Sequence, residues 1–127
     1  MKIDATRVLE RRRMDRERLI GRGQELATRL DPVVAPRAVA GFGSVARGDF
    51  NLWSDVDVLV IDDQVPPGWW ERIAALGPLP ARVAPVVWTS EEFCSRLGRN
   101  NPIATEAVDR GVWLMGGPDK LTTRVTG

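Results

Sequence analysis

The chain has 127 residues, with 18 Lys+Arg against 17 Asp+Glu and a formal net charge of +1. That length fits one compact domain, residues 1–127, and the near balance of charge says nothing either way about a polyanionic partner. Histidine is absent and Cys94 is the single cysteine, which excludes histidine-based zinc sites, Ser-His triads, histidine general bases and an internal disulfide.

Residues 4–30 read as one long helix within an N-terminal segment 1–31. Leu9, Leu19, Ile20, Leu26, Ala27 and Leu30 recur at helical spacing among charged residues. Asp4 is placed to cap the start, and Asp31-Pro32 to stop the end. Gly21 and Gly23 weaken the middle, by about 1 kcal/mol each against Ala, and predict a kink or break there. Residues 1–30 hold nine basic and five acidic side chains. Arg11–Arg13 offers a nucleic-acid contact, although a mixed charge run on a helix is more often a solvated face. The long helix also offers a surface for a homo-oligomer.

Ala38–Phe42 reads as the first strand, and it enters the turn Gly41-Phe42-Gly43-Ser44. A short arm, Val45–Trp53, leads to a second strand over Asp55–Ile61. A loop with Asp62, Asp63 and Pro66-Pro67-Gly68 precedes a short helix, Trp69–Leu76, whose apolar side is Trp70, Ile73 and Ala74. Val83–Trp88 is a third strand, and Pro85 marks it as an edge or an irregularity. Thr89 and Glu92 form a capping-box pattern for a helix to about Leu97. Asn101-Pro102 opens another helix, Ile103–Arg110, ended by Gly111, and Val112–Met115 is the last strand. Residues 117–127 read as a mobile tail. The fold class is α/β (α+β), a single mixed sheet flanked by helices. Tryptophan occurs five times; most are expected in the core, with Trp53, beside Asp55, the exception. Cys94 is expected to be buried and inert. No apolar run approaches the roughly 20 residues of a membrane span, and no signal-like apolar segment opens the chain. The expectation is a cytoplasmic protein without a membrane partner.

The chemistry concentrates in residues 43–57. Gly41 and Gly43 allow a ligand close to the backbone. Ser44 adds a hydroxyl at a turn whose amides favour phosphate, and Arg47 is near enough to reach the same anion. Asp55 and Asp57, two apart at a strand start, are expected on one face. Like charges so placed repel unless a cation lies between them, so the pair is a candidate magnesium site completed by substrate phosphate oxygens. Cradle and carboxylates together suggest metal-assisted phosphoryl or nucleotidyl transfer. Two other readings compete. The acids could be a solvated edge. Alternatively, Gly41-x-Gly43-x-x-Ala46 followed by Asp62 or Asp63 fits a dinucleotide fingerprint, although Gly48, Asp49 and Asn51 leave no room for its helix.

Gly43-Ser44, Ser44-Val45-Ala46-Arg47-Gly48 and Ser54-Asp55-Val56-Asp57 resemble the signature of the DNA polymerase β-type nucleotidyltransferases, in particular their minimal prokaryotic branch. The resemblance implies the nucleotidyltransferase fold, with ATP or another nucleoside triphosphate held by Gly43 and Ser44. Asp55 and Asp57 would then be metal ligands, in a one- or two-magnesium catalytic site. It also implies transfer of a nucleoside monophosphate to an acceptor hydroxyl, and a helical partner protein of the toxin–antitoxin kind. The family's third carboxylate is expected near Ala84, yet Arg82–Trp88 contains no acid. Of the possible substitutes, Asp62 and Asp63 are poor candidates, roughly 20 Å from Asp55 at strand rise, and Glu91 and Glu92 are expected to serve the helix start. This departure leaves a second reading, a catalytically degraded binding or interaction module of the same fold.

Overall fold

A computed structural model of the chain describes residues 4–30, 36–51 and 53–122. Helix α1 spans Ala5–Leu30 and strand β1 Ala38–Phe42, followed by the single-turn helix α2, Gly43–Arg47. Strand β2 covers Val56–Ile61, helix α3 Trp69–Ala75 and strand β3 Val83–Trp88. Helices α4 (Ser90–Gly98) and α5 (Pro102–Arg110), strand β4 (Val112–Met115) and helix α6 (Asp119–Thr122) complete the order. The four strands form one mixed sheet, β3-β2-β1-β4. β1 runs antiparallel to both β2 and β4, and β2 pairs parallel with β3. The expected single mixed sheet with a long N-terminal helix is therefore present.

Period-two alternation divides the core between the two faces of the sheet. Val56, Val58 and Val60 of β2 face α1 and the end of α3, joining Leu19, Leu26, Ala27, Leu30 and Leu76. Leu59 and Ile61 face the other way, onto Phe93 of α4, Ala104 and Ala107 of α5, and Leu121 of α6. By the same alternation Asp57 belongs to the α4–α5 face.

Helix α1 runs through Gly21 and Gly23 without the expected break. Gly23 is buried against the sheet, where an added Cβ would come within 3.0 Å of the Leu114 side chain and 3.4 Å of Val58. The glycine lets the helix lie close, and that packing outweighs its low propensity. Asp4 accepts the Thr6 amide at 3.0 Å, as a cap should. The expected stop at Asp31-Pro32, the arm residue Leu52 and residues 123–127 lie outside the described residues. The segment assigned to a tail carries the turn α6, and Leu121 is fully buried.

Helix α3 buries a different residue from the one expected. Trp69 and Trp70 are exposed and stacked edge to face, whereas Arg72 is buried. Its guanidinium donates to the Pro66 carbonyl at 2.6 Å, the Val87 carbonyl at 3.2 Å and Glu92 at 2.6 Å. Edge strand β3 is blunted twice, because Pro85 offers no N–H and Arg72 occupies the Val87 carbonyl. Burial raises the Glu92 carboxyl, but hydrogen bonds from Arg72 and the Thr89 amide outweigh it, and the group ends below its ordinary range. Its stabilising contribution is present at neutral pH and is lost as pH falls through that lowered value. Arg72→Ala should cost about 2 kcal/mol by leaving Glu92 and two carbonyls without their partner. Urea melts should show that loss at pH 7 and a smaller one in acid.

Only Trp88 and Trp113 of the five tryptophans pack against Phe93. Trp53, at 87% exposed, and the Trp69–Trp70 pair remain at the surface. The expected placement of most tryptophans in the core is thus corrected. Cys94 is half-buried, with Sγ 3.5 Å from the Leu121 carbonyl.

Candidate functional site

The site forms where β1 ends beside the start of β2. Phe42 pairs with Asp57, so the backbone leaving β1 must turn directly over that carboxylate. Gly43 makes the turn with φ +78°, a left-handed conformation, and a Cβ there would overlap the Asp57 carboxyl group. Glycine is therefore required on two counts, backbone angle and space. Gly41 is different. It lies within β1, where an added Cβ would make only ordinary contacts of 3.7 Å or more, so no close protein contact requires glycine there.

Ser44 and Ser54, ten residues apart, come together with Oγ atoms 3.3 Å apart. The Asn51–Ser54 turn achieves this. The Asn51 amide donates to Ser54 Oγ at 2.9 Å, and the Trp53 amide donates to Asn51 Oδ1 at 2.8 Å. Arg82, itself left-handed at φ +64°, donates to the Ser54 carbonyl. The Arg82 carbonyl accepts from Val56 at 2.7 Å, so Asp55 is bracketed on both sides.

Asp55 precedes β2 and is exposed, while Asp57 lies in the strand and is half-buried. Burial raises the Asp57 carboxyl above its ordinary value. The neighbouring charges of Asp55 and Glu106 raise it further, with Arg47 opposing. The charges of Asp55 and Glu106 both act unfavourably on the ionised Asp57 carboxyl, an effect that a bound cation would relieve. Among the described residues, no three acidic, histidine or cysteine side chains are arranged to hold an ion by themselves. Asp55 and Asp57 are the hard oxygen donors that could hold a magnesium ion here, which takes one or two carboxylates and completes its shell with other oxygens.

Arg47 ends α2 on the same side. It is ion-paired with Glu106 of α5 and with Asp49 at 3.3 Å, and both partners hold its pKa above the ordinary value. The α1 arginines anchor this arm. Arg16 donates to the Val45 and Ala46 carbonyls at 3.0 and 2.7 Å, at the C-terminal end of α2. Arg12 donates to the Gly48 and Phe50 carbonyls at 2.9 and 2.8 Å and stacks on the Phe50 ring at 4.5 Å. One member of the basic run read as a solvated face therefore binds the site loop.

Ala84 lies in register with Asp57 across the β2–β3 pair, so the strand position beside Asp57 carries a methyl group. The substitutes considered from sequence are engaged elsewhere. Buried Asp62 accepts from the Gln64 amide. Asp63 accepts from the Ser90 amide and hydroxyl and pairs with Arg37. Glu92 completes the α4 capping box, and Glu91 lies exposed in the first turn of that helix. Glu106, which the sequence reading did not consider, is the acid brought to Asp57. The dinucleotide reading fails on topology, because β1 and β2 are antiparallel and separated by a single helical turn.

Residues 24–106 match the nucleotidyltransferase domain family. A Sulfolobus solfataricus protein provisionally named a nucleotidyltransferase shares the fold, with 18% identity and a TM-score of 0.59 over 80% of this chain and 84% of that one. A toxin–antitoxin structure with AMP-PNP gives 19% identity and a TM-score of 0.49 over 79% of this chain and 78% of that one. None of the curated proteins matches the chain.

Proposed function

The chain belongs to the nucleotidyltransferase domain family, and from that premise we propose that it binds a magnesium–nucleoside triphosphate at the Gly43-Ser44 turn and transfers the nucleoside monophosphate to an acceptor hydroxyl. The observation that carries this reading is the packing of the Asp57 carboxylate against Gly43, with Asp55 close enough to raise its pKa. Asp55 and Asp57 would hold the magnesium, and Gly43, Ser44 and Arg47 would hold the triphosphate. When bound, magnesium supplies Lewis-acid stabilisation of charge on the phosphoryl oxygens. The acceptor oxygen bonds to the α-phosphorus, pyrophosphate leaves, and the hydroxyl proton passes to water. The acceptor fits a partner protein, in keeping with the resemblance to minimal nucleotidyltransferases. No helix among the described residues is long and apolar enough to cross a membrane, and we place the activity in the cytoplasm.

Pyrophosphate release from ATP, CTP, GTP and UTP with magnesium and candidate acceptors tests the reading, beside calorimetric titration of each nucleotide. Release with one of the four supports transfer. Absence of both release and binding refutes it.

A second reading, a binding module without turnover, is favoured by Ala84 standing where the family's third carboxylate is expected. The two readings separate with Ala84→Asp. This substitution puts an acid beside Asp57 in register and should raise pyrophosphate release about tenfold or more. An unchanged rate would mean that the site is limited by something other than the missing base.

A further inference from the structure

Resting on the proposed nucleotide site, we propose that Glu106 makes polyphosphate binding depend on the metal, by occupying Arg47 until a cation-bound phosphate displaces it. Arg47 is the basic side chain that acts on the Asp57 carboxyl, and it opposes the charges of Asp55 and Glu106 there. Its guanidinium is already engaged, by Glu106 across the α2–α5 contact and by Asp49 within its own loop. A naked triphosphate arriving at this turn meets the charges of Asp55, Asp57 and Glu106 and an arginine already bonded to carboxylates through Nε and Nη1. A magnesium-bound triphosphate arrives with much of its charge neutralised and finds ligands in Asp55 and Asp57. Only in that case does exchanging a carboxylate partner for a phosphate partner become favourable for Arg47, since Arg fits either anion in the same forked geometry.

Glu106 reaches the site because of strand alternation. Asp57 lies on the face covered by α5, and Ala104 and Ala107 of α5 are fully buried against that face. Glu106, one residue before Ala107, is carried to the rim beside α2, where it meets Arg47. The pair is partly exposed, at 31% and 24% for the two side chains. Each partner is therefore held loosely enough to exchange. Glu106 is a positioning residue in this account; it acts through Arg47.

The test uses the intact chain with inorganic tripolyphosphate as the probe, by calorimetric titration with and without magnesium. Glu106→Gln keeps the helix and removes the charge. It should tighten metal-free tripolyphosphate about three- to tenfold while changing the magnesium complex less than twofold. In an Arg47→Ala background the same substitution should give no gain, because the effect runs through the guanidinium. A gain that persists without Arg47 would be simple charge removal and would overturn the proposal. So would a Glu106→Gln protein, folded by its thermal transition, with unchanged metal-free affinity. If the wild-type chain binds magnesium tripolyphosphate and loses it in Asp57→Asn, the nucleotide site stands whatever Glu106 does. If the wild type binds neither form, site and proposal fall together.

Discussion

Asp57→Asn should abolish magnesium-dependent nucleotide binding and lower any pyrophosphate release by at least about a hundredfold, since the charge stabilisation supplied by a bound metal is worth several kcal/mol. The same substitution should raise the thermal unfolding midpoint. Burial, Asp55 and Glu106 hold the Asp57 carboxyl above its ordinary value. A carboxyl raised in the folded state favours folding when protonated. Its contribution is complete below the unfolded pKa and is lost as pH rises through the folded one. At pH 7 the ionised group is thus a net cost that the neutral amide removes. Stability of the wild type relative to Asp57→Asn should fall as pH rises from 4 to 7, and saturating magnesium nucleotide should close part of the gap. Differential scanning fluorimetry across that range reads both effects. A variant less stable than wild type at pH 7 would mean that Asp57 is a structural acid.

Gly43→Ala should be the most damaging single methyl group near the site. The residue adopts φ +78° and its Cβ would overlap the Asp57 carboxyl group. The left-handed backbone alone costs about 1–2 kcal/mol for alanine. Displacing Asp57 from the turn adds to that, for a total of about 2–4 kcal/mol. Nucleotide binding should be lost even in the folded fraction, since the carboxylate and the turn can no longer share the space. Gly48→Ala is the control. Its φ of +93° carries a similar backbone penalty, but an added Cβ meets nothing within 4 Å. It should destabilise without abolishing binding. Equal loss of binding in both variants would show that backbone angle, and not the Asp57 contact, governs the site.

The strands and most helices were legible because their signals are local. Val83–Trp88 alternates poorly but is β-branched and bounded by turns. Thr89 and Glu92 spell out a capping box, and the structure contains it. The Gly43–Asp57 neighbourhood was legible for the same reason, since one hairpin-like return brings its two ends together. What could not be read depends on which element covers which face. Trp70 was expected inward because it is apolar, yet Arg72 is buried. A guanidinium that satisfies two carbonyls and Glu92 can be buried at that position, which a hydrophobicity pattern does not reveal. Arg12 and Arg16 looked like solvated charge, and only the docking of α1 across α2 gives them carbonyls to hold. Glu106 lies 49 residues from Asp57 in sequence and shares no motif with it. The parity of β2 and the buried alanines of α5 would have suggested the encounter once α5 was assigned to that face.

A structure of the chain with manganese in place of magnesium and a non-hydrolysable nucleoside triphosphate tests the central claim most directly. The anomalous signal of manganese should fall between the carboxylates of Asp55 and Asp57, with the β- and γ-phosphates against the Gly43-Ser44 backbone and Arg47 turned from Glu106 towards them. Manganese bound elsewhere, or a triphosphate seated away from that turn while the two carboxylates stay bare, would contradict the account.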